Sequence, residues 1–232
     1  MSKKIDVLLE MLQHPPHNHN IFNPWYDNDH ENDGGPRAPE IRRWQLDAYL
    51  RTRLRRAKYL LLAEAVGYQG GHFSGIAMTS ERILLGQLAD RGVLPEHVLP
   101  NRKARQTSHP AKFVNGFSEP TATIVWQALM QSGLDPAEFV LWNIFPWHPF
   151  QPEKGLLSNR TPTNSELQSA IPIVEYVLRT FKKAKIAAVG RKSAGILEQL
   201  GVQATAMRHP AQGGATLFRQ QFAAWVSTSQ DR

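Results

Sequence analysis

The strongest constraint on the fold is a set of four short apolar runs, at residues 59–65, 139–144, 186–189 and 204–208, separated by longer segments with helical spacing. Each run is brief and rich in aliphatic or β-branched residues, the pattern of a strand buried on both faces of a parallel sheet. Between them, residues 80–91, 119–130, 165–181 and 193–200 read as helices, and 216–226 adds a closing one. Thr163 and Glu166 have the spacing of a capping box ahead of the third of these helices. Strands alternating with helices predict a three-layer α/β/α sandwich around a central four-stranded parallel sheet. No internal repeat is visible.

Two segments precede the first strand. Residues 1–40 read as an N-terminal helix followed by an extended arm, and residues 41–232 as the α/β domain. The opening run contains Asp6 and Glu10 and is followed by no small-residue cleavage site, which favours an amphipathic helix over a signal peptide. Residues 14–40 are rich in His, Asn, Asp, Pro and Gly, a composition that resists regular structure, while Ile21, Phe22, Trp25 and Tyr26 suggest packing against the body. The histidines of this arm have no spacing that suits a compact metal site. A helix over 41–58 carries seven Lys and Arg residues, and a solvated face is the expectation for it.

The chain has 27 Lys and Arg against 20 Asp and Glu, a formal charge of +7 that favours polyanionic partners without naming one. It has no cysteine, which excludes disulfides, thiolate zinc sites, cysteine nucleophiles and cysteine-ligated iron–sulfur clusters. No stretch approaches the ~20 apolar residues needed to span a bilayer. A soluble, cytoplasmic monomer without cofactor or metal is the expectation.

In an open parallel sheet, ligands bind beyond the carboxyl ends of the strands. The segments there are residues 64–75, residues 143–149, Gly190-Arg191-Lys192-Ser193, and His209-Pro210-Ala211-Gln212-Gly213-Gly214. The glycines of the first allow close backbone approach to a ligand, or serve a tight strand-to-helix turn. Asn143 offers both a donor and an acceptor, suited to the edge of a pyrimidine or to a loop backbone. Gly190–Ser193 opens a helix, where amides and dipole favour a phosphate or simply meet solvent. His209 follows a strand and precedes glycines, so its imidazole is either exposed at the cleft floor or structural.

Taken in this order, the four segments resemble the uracil-DNA glycosylase superfamily over about residues 60–222. Ala63-Glu64-Ala65-Val66-Gly67 is similar to the Gly-Glu-Ala-Pro-Gly form of the family's first motif, and Gly75-Ile76-Ala77-Met78-Thr79 continues it. Asn143 falls at the family's base-reading asparagine, and His209-Pro210-Ala211 resembles its His-Pro-Ser motif. Residues 142–149 followed by Ser158-Asn159-Arg160-Thr161-Pro162 look like bacterial members.

The resemblance implies a protein that binds DNA containing a damaged base, flips the target nucleotide into a pocket and hydrolyses the base–sugar bond. His209 would face the pyrimidine O2 and Asn143 would pair with the base edge. Phe73 or Tyr68 would offer a stacking surface, while Arg191, Lys192, Ser193, Arg208, Gln212 and Gly213 would meet the DNA backbone. Ala65 replaces the water-activating Asp of the best-known branch, leaving Glu64 as the nearest carboxylate. Met78 stands where that branch stacks a phenylalanine, and Gly67 where its tyrosine excludes thymine. No wedge leucine follows the His-Pro motif. A noncatalytic DNA- or lesion-binding protein with the same fold is the alternative.

Overall fold

The computed structural model describes residues 3–16 and 18–228; His17 of the histidine-rich arm lies outside the described residues. In chain order the strands are β1 (Ile21–Phe22), β2 (Tyr59–Ala65), β3 (Phe139–Phe145), β4 (His148–Pro149), β5 (Lys185–Val189) and β6 (Thr205–Met207). The helices are α1 (Lys3–Met11), α2 (Ala38–Arg53), α3 (Gly71–Ser74), α4 (Glu81–Leu84), α5 (Pro95–Val98), α6 (Pro120–Gln131), α7 (Asn164–Thr180), α8 (Arg191–Gln199) and α9 (Ala215–Ser227). The four apolar runs form one parallel sheet in the order β3-β2-β5-β6, flanked by helices, as the alternation predicts. Ala63 pairs with Asn143 and Ala65 with Phe145 across β2 and β3, so the first motif and the asparagine lie side by side in the last residues of the sheet.

β3 lies at the edge of the sheet, yet every one of its residues is buried. An edge strand carries unpaired backbone groups that must find partners. Here α2 supplies them: the Leu141 N–H donates to the Tyr49 hydroxyl at 2.8 Å, and Arg53 Nε donates to the Phe139 carbonyl at 2.8 Å. Arg53 is fully buried without a carboxylate partner, its remaining donors going to the carbonyls of Tyr49, His97 and Val98.

The expectation of a solvated basic helix is therefore corrected. Arg42 is also fully buried, paired with Asp33 at 2.6 Å and donating to the carbonyls of Pro24 and Asp27. Arg43 caps the Trp25 carbonyl, and Arg51 bonds Asp47. Several of these charges thus serve to hold the arm against α2. Burying guanidinium groups in this way is tolerated because carbonyls and carboxylates replace the lost water.

The arm is built into the body. β1 pairs antiparallel with β4, Asn23 Nδ2 and Trp147 Nε1 both donate to the Leu12 carbonyl, and Asn18 donates to Glu166 at 2.7 Å. Phe22 stacks on His72 at 4.2 Å between ring centres. The capping box is formed, with the Glu166 amide donating to Thr163 Oγ1 at 3.2 Å and the Thr163 amide to Glu166 at 2.8 Å. The expected helix over 80–91 breaks after Leu84, because Gly86 takes a left-handed φ of 78°. No helix among the described residues is long and apolar enough to cross a membrane.

Candidate active site at the carboxyl edge of the sheet

At the carboxyl ends of β2 and β3 a cavity is lined by Ala63, Glu64, Ala65, Val66, Gly67, Gly71, Met78, Glu119, Thr121, Asn143 and His209. Three of the four expected segments therefore contribute to one small space. The fourth adjoins it: a Cβ placed on Gly190, which precedes α8, would lie 3.6 Å from the Cβ of His209.

Asn143 is almost completely buried, and its Oδ1 has no hydrogen-bond partner. Leaving a buried polar group unpaired costs ~1–3 kcal/mol, a cost that folding alone has no reason to retain. The reading of Asn143 as satisfying a loop backbone finds no support. Its amide is free to read a ligand.

His209 accepts a hydrogen bond at Nδ1 from the Ala211 amide, 3.1 Å away. A neutral imidazole that accepts at Nδ1 carries its hydrogen on Nε2. Burial, helped by the nearby Arg208 charge, holds the His209 pKa below its ordinary value and so favours this neutral donor form. The loop after it is shaped by left-handed backbone at Gln212 and Gly213.

Glu64 is half-buried and its pKa is raised by burial, against the pull of the facing Lys192 and a hydrogen bond from Thr161. Lys192 thus faces Glu64 at the rim. Arg208 and Gln212 are exposed near His209, with an Arg208 guanidinium nitrogen 3.4 Å from the Gln212 carbonyl. The Ser193 hydroxyl is buried and donates to the Leu62 carbonyl at 2.5 Å, so as a side chain it belongs to the sheet and only its backbone faces the helix start.

One aromatic expectation changes. Phe73 is fully buried, stacked on Phe117 at 4.4 Å and flanked by His72, so it is not a stacking surface for a base. Tyr68 meets Phe117 edge-on at 6.1 Å, and its amide donates to Asn159 Oδ1 at 3.0 Å. Met78, with a φ of 48°, lines the cavity instead.

Sequence reasoning passed over Glu119 and Thr121. Glu119 stands at the N-terminal boundary of α6 without a side-chain capping bond, and a residue before proline reads simply as a helix boundary. Its carboxyl group rests against Gly70, and burial raises its pKa to about 7. Its Oε2 is buried without a partner. The loop that delivers it is pinned by buried Glu81, which accepts from the amides of Thr107 at 2.6 Å and Ser108 at 3.1 Å. Among the described residues no cluster of His, Asp and Glu is arranged to hold a metal ion.

Fold and cavity together define an α/β/α protein with a ligand pocket at the carboxyl edge of its parallel sheet. The family model of the Uracil DNA glycosylase superfamily matches residues 100–229, more than half of the chain, and the chain belongs to that superfamily. The matched range holds Asn143 and His209, while the first motif lies before it. Among solved structures, wild-type SMUG2 of Pedobacter heparinus matches with a TM-score of 0.61 and 14% identity, over 100% of this chain and 98% of that one, which shows the shared fold. No curated protein sequence matches.

Proposed function

We propose that this protein is a monofunctional DNA glycosylase that flips a deaminated or damaged base out of DNA, uracil being the default, and hydrolyses its N-glycosidic bond for base excision repair. The observation that carries the reading is the pairing of a buried, unpartnered Asn143 amide with a neutral His209 donor in one cavity. A base leaving with its bonding electrons gains negative charge on its carbonyl oxygens. His209 Nε2 donates to the pyrimidine O2 as that charge grows, and Asn143 holds the base edge. The sugar becomes cation-like, as in glycoside hydrolysis, and Glu64 orients the incoming water. Arg191, Lys192 and Arg208 flank the cavity and meet the DNA phosphates, with the amides of Ser193 and Gly213 beside them. Gly67 leaves the rim open, so the pocket admits bases other than uracil.

The test is base release from oligonucleotides carrying uracil, hypoxanthine, xanthine or a thymine mismatch, under single-turnover conditions. Release from at least one, lost by ~100- to 1000-fold in His209→Ala and Asn143→Ala variants that still fold and bind DNA, is the expected result. Near-normal cleavage by both variants refutes the site. Lesion binding without any release identifies a noncatalytic lesion-binding protein in its place.

A further inference from the structure

We infer that Glu119 is the group that takes the proton from the attacking water, a role that rests on the glycosylase reading above. Ala65 leaves the first motif without the carboxylate its best-known branch uses there. Two carboxyl groups line the cavity in its stead, Glu64 and Glu119. A proton acceptor needs a free lone pair facing the reacting space. Glu64 faces the cation of Lys192, whereas the Glu119 carboxyl group lines the cavity with no charged partner and its buried Oε2 accepts from nothing.

The backbone opposite is shaped to admit this carboxyl group. A Cβ on Gly70 would lie 2.1 Å from Oε2 and 2.7 Å from Cδ of Glu119, so a side chain at position 70 and the carboxyl group cannot share the space. Gly71, the next residue, lines the same cavity. The titratable and charged groups in or facing the cavity are Glu64 with Lys192, and His209 with Arg208. Burial is the cause of the raised Glu119 pKa of about 7, which places the carboxylate in the range where a general base works best near neutral pH.

In the step itself, the water oxygen bonds to C1′ of the deoxyribose as the C1′–N bond breaks. The bonding pair leaves with the base, whose anion His209 stabilises. The water proton passes to the ionised Glu119 and from there to solvent. Glu64 keeps its part in orienting the water.

Single-turnover base release measured from pH 5.5 to 9 tests this. The wild-type rate is expected to climb with pH through about 7 as Glu119 ionises, then level off. Glu119→Gln, with its affinity for lesion DNA and its thermal stability unchanged, should be slower by ~100- to 10,000-fold and lose that climb. Glu64→Gln should be slower but keep it. Gly70→Ala moves the carboxyl group with Glu119 intact, so it should also flatten the climb, and should add nothing further in a Glu119→Gln background. If Glu119→Gln releases base with the wild-type rate and pH profile, the inference fails while the glycosylase reading stands. Should Glu119→Gln not fold, an unchanged profile in Gly70→Ala overturns the inference equally. Absence of release by the wild-type protein from every substrate removes both.

Discussion

Replacing Gly214 with alanine offers a sharp test of how the imidazole is held. The new Cβ would lie 2.0 Å from the His209 carbonyl oxygen and 3.1 Å from that of Ala211, whereas real contacts of this kind stay above 3.0 Å. The backbone around His209 must therefore move by about 1 Å. β6 and the buried Phe218 on α9 anchor the two ends, so the exposed residues 211–213 yield and carry His209 with them. A 1 Å misplacement of a catalytic group costs ~100-fold in rate, while a small loop shift costs stability only ~1 kcal/mol. Gly213→Ala is the control: its φ of 75° strains any side chain, but no atom lies within 4 Å of the new Cβ, so it should lower stability without moving His209. Single-turnover base release and thermal denaturation of both variants check this. A Gly214→Ala protein that cleaves at the wild-type rate refutes the argument that this turn sets the His209 position.

Three further outcomes follow from the same geometry. A Cβ at Gly67 sits 3.6 Å from the Asn159 amide, so Gly67→Tyr is accommodated along the rim and should narrow the range of bases released; an unchanged substrate panel refutes this. DNA affinity should fall steeply with salt, and Arg191→Ala should reduce the log–log slope by about 1, measured by fluorescence anisotropy; salt-independent binding argues for a small-molecule ligand. Burial holds the His72 pKa below 6.5 and that of His148 down at about 3. The unfolded chain takes up protons near pH 6.5 and the folded one does not, so stability is full above that pH and declines as the pH falls below it, with His148 contributing up to ~1.4 kcal/mol per pH unit down to about 3 and His72 adding to the same direction of loss. Denaturant titrations between pH 7.5 and 4.5 that show no decline refute the neutral pair.

The sheet was legible because burial on two faces leaves a local mark. Residues 59–65 are β2 as expected, and the other three strands fall within a residue of their apolar runs. Asn143 and His209 stand out in the sequence for a related reason: each is a polar residue within or just past an apolar run near the carboxyl edge of the sheet. What local pattern does not carry is partnership across the chain. Arg53 reads as surface charge until its acceptors at residues 97, 98 and 139 are known. Phe73 reads as a platform until Phe117 covers it. Glu119 reads as a helix start because the glycine that makes room for it lies 49 positions earlier in the numbering. Each of these assignments depends on a neighbour that sequence spacing alone does not bring near.

The interlocking of the arm with the body sets a timetable for making the protein. The Tyr176 hydroxyl donates to the Lys4 carbonyl, 172 positions away, and the Leu12 carbonyl receives Trp147 from 135 positions away. Translation proceeds at ~5–20 residues per second, so the first helix waits roughly 10–35 s for the partner at Tyr176 to be synthesised. During that interval Ile5, Leu8 and Leu12, all buried in the finished fold, have α2 but not α7 to cover them. The nascent chain is most exposed to chaperones and to aggregation in that window, and slowing translation between the first helix and α7 lengthens it.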